Sequence, residues 1–244
     1  MSSWVPVALA DGLKPGGVMR AVVEDEDLVV WRTTDGAVNA WNNRCPHRGM
    51  RLSFGFVRGD RLACLYHGWQ FGADSICRYI PAHPDLEPPA TITATVYRCE
   101  ERAGLIWVSL SSEGEPDILK IAAHPIRSLA VDAAPDALKA ALRCACFPVS
   151  ETWQPGRGTF SHKDLGDAVV AIDGVDADTS CRLVAAVQPL PDGRAMLHLL
   201  VDEGPSAALK LRLSDWAERL RWFLENPQAK SVSWTPFLEE ERAA

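Results

Sequence analysis

The sequence predicts an α+β protein in two parts: an all-β domain over residues 1–112 and a smaller antiparallel-sheet-and-helix domain over residues 113–244. Three observations carry this. Short β-branched and aromatic runs separated by turn pairs fill the first 110 residues. The polar stretch SSEGEPD at 111–117, with Gly and Pro, has the composition of a linker. A helical period emerges near the C-terminus, where Trp216, Leu220, Phe223 and Leu224 recur at i, i+4, i+7 and i+8.

VMRAVV (18–23), LVVWR (28–32) and AVNAW (37–41) read as strands, with Asp35-Gly36 turning between the last two. RLACL (61–65) follows the turn pair Gly59-Asp60, and a proline-rich loop, IPAHPDLEPPA (80–90), leads into TITATVYRC (91–99) and GLIWVSL (104–110). Spacing of this kind predicts a small antiparallel sandwich or barrel. Past the linker, ALKAALRCACF (137–147) fits either a helical or a strand period. AVVAIDGVD (168–176) and SCRLVAAVQPL (180–190) read as strands, the latter turning through Pro191-Asp192-Gly193 into RAMLHLLV (194–201). Ser214-Asp215 and Asn226-Pro227 mark the expected start and stop of the final helix.

Composition narrows the function classes. With 25 Lys+Arg against 32 Asp+Glu, the net charge is −7 and no long basic block is present, so nucleic acid is repelled on average. No apolar run approaches a membrane span, and no basic segment precedes a hydrophobic one at the start; neither membrane insertion nor export is expected. Seven cysteines, an odd number, fit a reducing, cytoplasmic setting in which thiols stay free or bind metal. Cys77, Cys99, Cys144, Cys146 and Cys181 read as small buried hydrophobes, Cys144 and Cys146 sharing one face of a strand.

Cys45 and Cys64 differ, because each is followed closely by a histidine. Cys45-Pro46-His47-Arg48-Gly49 and Cys64-Leu65-Tyr66-His67-Gly68-Trp69 supply two thiols and two imidazoles from two loops, and the trailing glycines permit sharp turns. One reading is tetrahedral zinc, although zinc sites usually pair Cys with Cys and His with His on a helix. A second is four unrelated residues. A third is a Rieske [2Fe–2S] centre, in which one iron takes two Cys and the other two His.

The stretch NRCPHRGMRLSFGFVRGDRLACLYHGWQF resembles the cluster-binding region of Rieske proteins, specifically the ring-hydroxylating (Rieske non-haem iron) oxygenase α-subunit type. The match runs over about residues 4–110, through Trp4-Val5-Pro6-Val7, Arg32, Ile80-Pro81-Ala82 and Gly104-Leu105-Ile106-Trp107-Val108; Leu65 stands where the family usually has Pro, and Ser75 where Gly is usual. The resemblance implies a [2Fe–2S] cluster with Cys45 and Cys64 on one iron and His47 and His67 on the other. Arg48, Tyr66 and Trp69 would support it by packing or by hydrogen bonds to sulfur. Neither loop carries the extra Cys that forms a disulfide in high-potential Rieske proteins, so a potential near the negative end of the range, about −150 mV, is expected.

The family's second domain holds a mononuclear iron through two His and one carboxylate. Outside the loops this chain has His83, His124, His162 and His198, none in the family's Asp-x-x-His pattern, so mononuclear iron is doubtful. His83 and His124 read as solvated, His162 as part of a surface turn near Asp164 and Asp167, and His198 as a satisfied strand residue. The order of elements over 180–225 resembles the end of the oxygenase catalytic domain in reduced form. The expected function is one-electron transfer from a reductase or ferredoxin to an oxygenase-type iron, on a catalytic oxygenase subunit or within a homo-oligomer. The alternatives are a compact mono- or dioxygenase with an atypical iron site, and a non-enzymatic redox sensor subunit.

Overall fold

The computed structural model describes residues 4–111 and 123–226, and the chain divides into two compact units, Met1–Pro116 and Asp117–Ala244. The expected linker lies almost wholly outside the described residues.

The first unit is all β. Strands β1 (Val5–Leu9), β2 (Val18–Val23), β3 (Glu26–Arg32), β4 (Val38–Asn42), β9 (Val96–Arg102) and β10 (Leu105–Ser109) form a six-stranded sheet in the order β1-β10-β9-β4-β3-β2. Strands β5 (Phe56–Arg58), β6 (Arg61–Ala63), β7 (Gln70–Gly72) and β8 (Cys77–Tyr79) form a second sheet in sequence order. Every pairing is antiparallel. β3 explains the arrangement. Its central residues are apolar without interruption, and Leu28, Val29, Val30 and Trp31 are all fully buried. Alternation sends Leu28 and Val30 into one core with Val7, Ile106 and Val108, and Val29 and Trp31 into a second with Leu62, Phe71, Cys45 and Cys64. The second core joins the large sheet to the loops that the small sheet supports.

Buried Arg32 holds the entrance to this unit. Its guanidinium donates to the carbonyls of Leu13 (2.7 Å), Gly36 (2.9 Å) and Ala10 (3.1 Å), and pairs with Glu101 at 2.6 Å. A buried charge needs such complete satisfaction. The run 91–99, expected as one strand, is extended only from Val96; Thr93 makes an isolated bridge to Ile76 instead.

In the second unit, β11 (His124–Val131), β12 (Thr159–Asp164), β13 (Val169–Asp176), β14 (Thr179–Pro189) and β15 (Ala195–Val201) form one antiparallel sheet in the order β11-β15-β14-β13-β12. Helices α1 (Pro135–Leu142) and α2 (Ala207–Glu225) share a core with it. The β14–β15 turn is Pro191–Gly193, as expected, with Asp192 and Gly193 at φ 64° and 74°.

Three expectations are corrected. The ambiguous 137–147 stretch is helix as far as Leu142, so Cys144 and Cys146 do not share a strand face; the Cys144 thiol lies 3.3 Å from the Ala141 carbonyl, closing the helix end. Helix α2 begins about two turns before Ser214-Asp215. Ser206 is its N-cap, accepting from the Leu209 N–H at 3.1 Å, and the apolar face continues back through Leu213 and Leu209. His162 lies on β12, where pairing with β13 replaces the expected turn. Strands β1, β5, β7, β8, β11 and β12 went unread in the sequence.

Ser75, at the position where the family favours Gly, has φ 69° and is buried. Its N–H donates to the Gly72 carbonyl at 2.8 Å and its carbonyl accepts from Ala94 at 3.1 Å, so the turn cannot relax away from this conformation. Ser75→Gly should therefore stabilise the first unit by about 1 kcal/mol. A denaturation midpoint that stays level or falls would show that the left-handed turn costs nothing here.

Candidate metal centre

Two five-residue turns of the same backbone form build the site. In the first, the Cys45 N–H donates to the Met50 carbonyl (2.8 Å) and the Gly49 N–H to the Cys45 carbonyl (2.8 Å). In the second, Cys64 donates to Trp69 (2.9 Å) and Gly68 to Cys64 (3.0 Å). Gly49 and Gly68 both take φ 70°, the left-handed conformation that ends each turn. The histidine comes third in one turn and fourth in the other.

The frame around the turns is equally specific. Asn43, fully buried just before the first turn, donates from its side chain to Asp27 (3.1 Å) and Ser53 (3.0 Å), and its amide oxygen accepts from the Ser53 N–H (2.7 Å). Burial opposes ionisation of Asp27, but hydrogen bonds from Arg20 and Asn43 and the charges of Arg20 and Arg51 outweigh it and hold its carboxyl below the ordinary range. The second turn abuts the proline-rich loop: a Cβ on Gly68 would fall 2.8 Å from Pro81 Cγ. Asn43 and Pro81 as positioning residues were missed in the sequence, where neither stands out from its neighbours.

The four donors sort into like pairs. Cys45 and Cys64 are 3% and 2% exposed, and their thiols interact directly. Burial pushes the Cys45 thiol up to about 12; the N–H groups of His47 and Arg48 oppose the rise and the neighbouring Cys64 adds to it. The imidazoles of His47 and His67 lie edge to face with centroids 4.6 Å apart and are partly exposed. Desolvation, then the charges of His67 and Arg48, lowers the His47 pKa, favouring the neutral ring that binds metal. Trp69 stacks on His47 (4.2 Å between centroids, 4° between planes), and Tyr66 tilts over His67 at 3.8 Å. Arg48 is exposed and acts on His47 through its charge.

A [2Fe–2S] cluster fits this donor set. Among the described residues, no three His, Cys, Asp or Glu side chains gather about a point that could hold one ion. Zinc needs four donors around a single ion, whereas a Rieske cluster needs two thiolates on one iron and two neutral imidazoles on the other. Paired buried thiols with N–H groups directed at one sulfur, beside paired accessible imidazoles, match the second requirement. None of the seven cysteines is in a disulfide.

A family model described as "Rieske [2Fe-2S] domain" matches residues 3–95. The methylxanthine N1-demethylase NdmA of Pseudomonas putida is 39% identical over 114 residues, 45% of this chain and 32% of that protein. The 3-chlorobenzoate-3,4-dioxygenase oxygenase subunit of Comamonas testosteroni is 36% identical over 111 residues, 45% of this chain and 26% of that protein. Residues 3–95 belong to the Rieske [2Fe–2S] domain family. The chain's matched stretch spans about a quarter to a third of those relatives' own length. The solved structure of Pseudomonas putida CBB5 NdmA superposes with TM-score 0.69 at 21% identity, covering 99% of this chain and 84% of that one. This likeness shows a shared fold.

The remaining histidines lie apart. His83 and His124 are exposed. His162 Nε2 lies 2.8 Å from the Ala145 carbonyl, and Asp164 pairs with Arg143 at 3.0 Å. His198 is buried, with Nδ1 2.7 Å from Ser128 Oγ. No helix among the described residues is long and apolar enough to cross a membrane.

The two glycines separate backbone strain from packing. Gly49→Ala meets nothing within 4 Å and should cost only about 1–2 kcal/mol for its left-handed backbone. Gly68→Ala adds the collision with Pro81 and should lose more cluster absorbance per chain. Equal loss in the two variants would remove Pro81 from the account.

Proposed function

We propose that this chain is a one-electron oxidoreductase component, accepting an electron from a reductase or ferredoxin and passing it to an oxygenase-type iron centre on another subunit. Cys45 and Cys64 hold one iron, and His47 and His67 hold the other. The carrying observation is the sorting of the donors into a buried thiol pair and an accessible imidazole pair. When bound, the cluster supplies a one-electron couple. The chain's own residues do the rest: the turn N–H groups stabilise thiolate at Cys45, the low His47 pKa keeps its ring neutral, and Trp69 fixes that ring's plane. The imidazole side, being partly exposed, is where an electron enters or leaves; no bond forms and no group is transferred.

The second reading, a compact oxygenase, needs two His and a carboxylate converging in residues 123–226. His162 and His198 stand on β12 and β15, with β13 and β14 between them, and His124 pairs in register with Val201, three residues from His198. That separation favours an acceptor iron on another subunit.

Iron and sulfide assays should return the two of each that the domain type holds, with reduction by one electron per chain. A third iron together with substrate-dependent oxygen uptake would assign the compact oxygenase instead. His67→Cys should retain cluster but lower its potential from about −150 mV toward about −400 mV, because a thiolate replaces a neutral ligand. An unchanged potential would take His67 out of the ligand set.

A further inference from the structure

The small sheet of β5 to β8 has two unlike faces. Leu62, Phe71 and Cys77 turn into the core that contains Cys45 and Cys64, so their chain neighbours Arg61, Gly72 and Arg78 lie on the other face. Arg61 stands directly opposite Arg58 on one side and Gly72 on the other, and directly opposite residues share a face. Gly72 leaves the room that Arg78 takes. A Cβ there would fall 3.4 Å from Arg78 Cγ and Nε and 2.7 Å from Asp74 Oδ1. The Arg78 stem therefore crosses β7 toward Arg61, with Asp74 holding its guanidinium. Arg58 and Arg61 are like charges in direct opposition, which works against the pairing of β5 with β6. Among the described residues Arg61 meets one acid, Asp60, at 3.7 Å, and that carboxylate is 75% exposed.

Arg61 and Arg78 open onto a cleft of about 510 Å³. Ile76 and Cys77 line it from the sheet, and Glu87, Pro88, Pro89 and Ala90 from the proline-rich loop. Main-chain hydrogen bonds fix that loop against β8: the Cys77 N–H donates to the Ile92 carbonyl (2.9 Å), and the Ile92 N–H to the Pro89 carbonyl (3.0 Å). Glu87 is exposed and makes no ion pair among the described residues.

We propose that this cleft binds a phosphorylated small molecule of the mononucleotide class. Two guanidiniums converging from different strands present forked donors that suit a phosphate dianion, and a dianion between them offsets the repulsion of Arg58 and Arg61. Because Arg78 is held by Gly72 beneath it and Asp74 beside it, little freedom is lost when the phosphate arrives. Glu87 accepts from sugar hydroxyls or an exocyclic amine, and the flat faces of Pro88 and Pro89 pack a planar base. The volume falls within the range of about 300–1,000 Å³ common for such ligands. In a chain of net charge −7 an anion is repelled at long range, so binding depends on these guanidiniums and weakens with salt. The site lies on the face of the small sheet opposite the cysteine core and is independent of the electron-transfer reading.

Isothermal titration of the cluster-loaded full chain with adenosine 5′-monophosphate tests this, with adenosine and inorganic phosphate as the two half-ligands. The monophosphate should bind once per chain with a Kd at or below about 1 mM, and each half-ligand at least about tenfold more weakly. Arg61→Gln with Arg78→Gln should weaken the monophosphate by about tenfold or more, with cluster absorbance per chain unchanged. Gly72→Ala, which crowds Asp74 and Arg78, and Glu87→Gln should each weaken it several-fold. No binding at millimolar monophosphate, or an affinity untouched by the double variant, would overturn the site. Phosphate alone binding as tightly would overturn the mononucleotide class, and adenosine binding as tightly would remove the arginines from the account. If the double variant loses its cluster, Gly72→Ala and Glu87→Gln decide: full affinity in both overturns the proposal.

Discussion

Everything in the N-terminal unit depends on holding two thiols side by side out of water. Burial alone disfavours thiolate, as the rise of Cys45 to about 12 records. The fold answers with backbone: N–H groups of His47 and Arg48 are directed at Cys45, and each turn closes through a pair of main-chain hydrogen bonds. Those turns stay in place because their bases are fixed from behind. Asn43 ties the first to the Asp27 carboxylate and Ser53, and the core of Trp31, Trp41, Leu62 and Phe71 lies under both. The two-faced burial of β3 is thus tied directly to the site, since one of its faces packs among the cysteines.

The two Cys/His turns were legible because their chemistry is local. Cys, His and Gly at fixed offsets within five residues define a turn, its donors and its exit. Strands with strong β-branched runs, such as Val18–Val23 and Val169–Asp176, were legible for the same reason. Harder to read were elements whose identity is set by distant partners. His124–Val131 has a polar, Pro-containing sequence and is a strand because β15 pairs with it over its whole length. Thr159–Asp164 is an edge strand of mostly polar residues, recruited by β13. Helix α2 was entered too late because Ser214-Asp215 imitates a cap; Arg127 uses Ser214 as a partner instead, at 3.0 Å. Asn43 was invisible because a single Asn carries no period.

In the second unit, polar side chains that could have signalled chemistry are spent on structure. Trp216 donates to the Cys146 carbonyl (2.7 Å), Arg182 pairs with Asp173 (2.6 Å), and Arg143 with Asp164 (3.0 Å). His162 is turned to a backbone carbonyl. Each of these satisfies a group that folding would otherwise leave unpaired. The polar groups named here are accounted for by the unit's own packing.

The two turns also show what their resemblance does not determine. Their closing hydrogen bonds match and their glycines share φ 70°, yet one presents its histidine third and the other fourth. Identical backbones with different offsets would not by themselves bring two rings to 4.6 Å. The meeting is set by how the surrounding frame orients the turns, through Asn43 on one side and Pro81 on the other. Trp69, immediately after the second turn, stacks on the histidine of the first and so couples the two directly. The short sequence motifs specify the donors, while their pairing belongs to the fold.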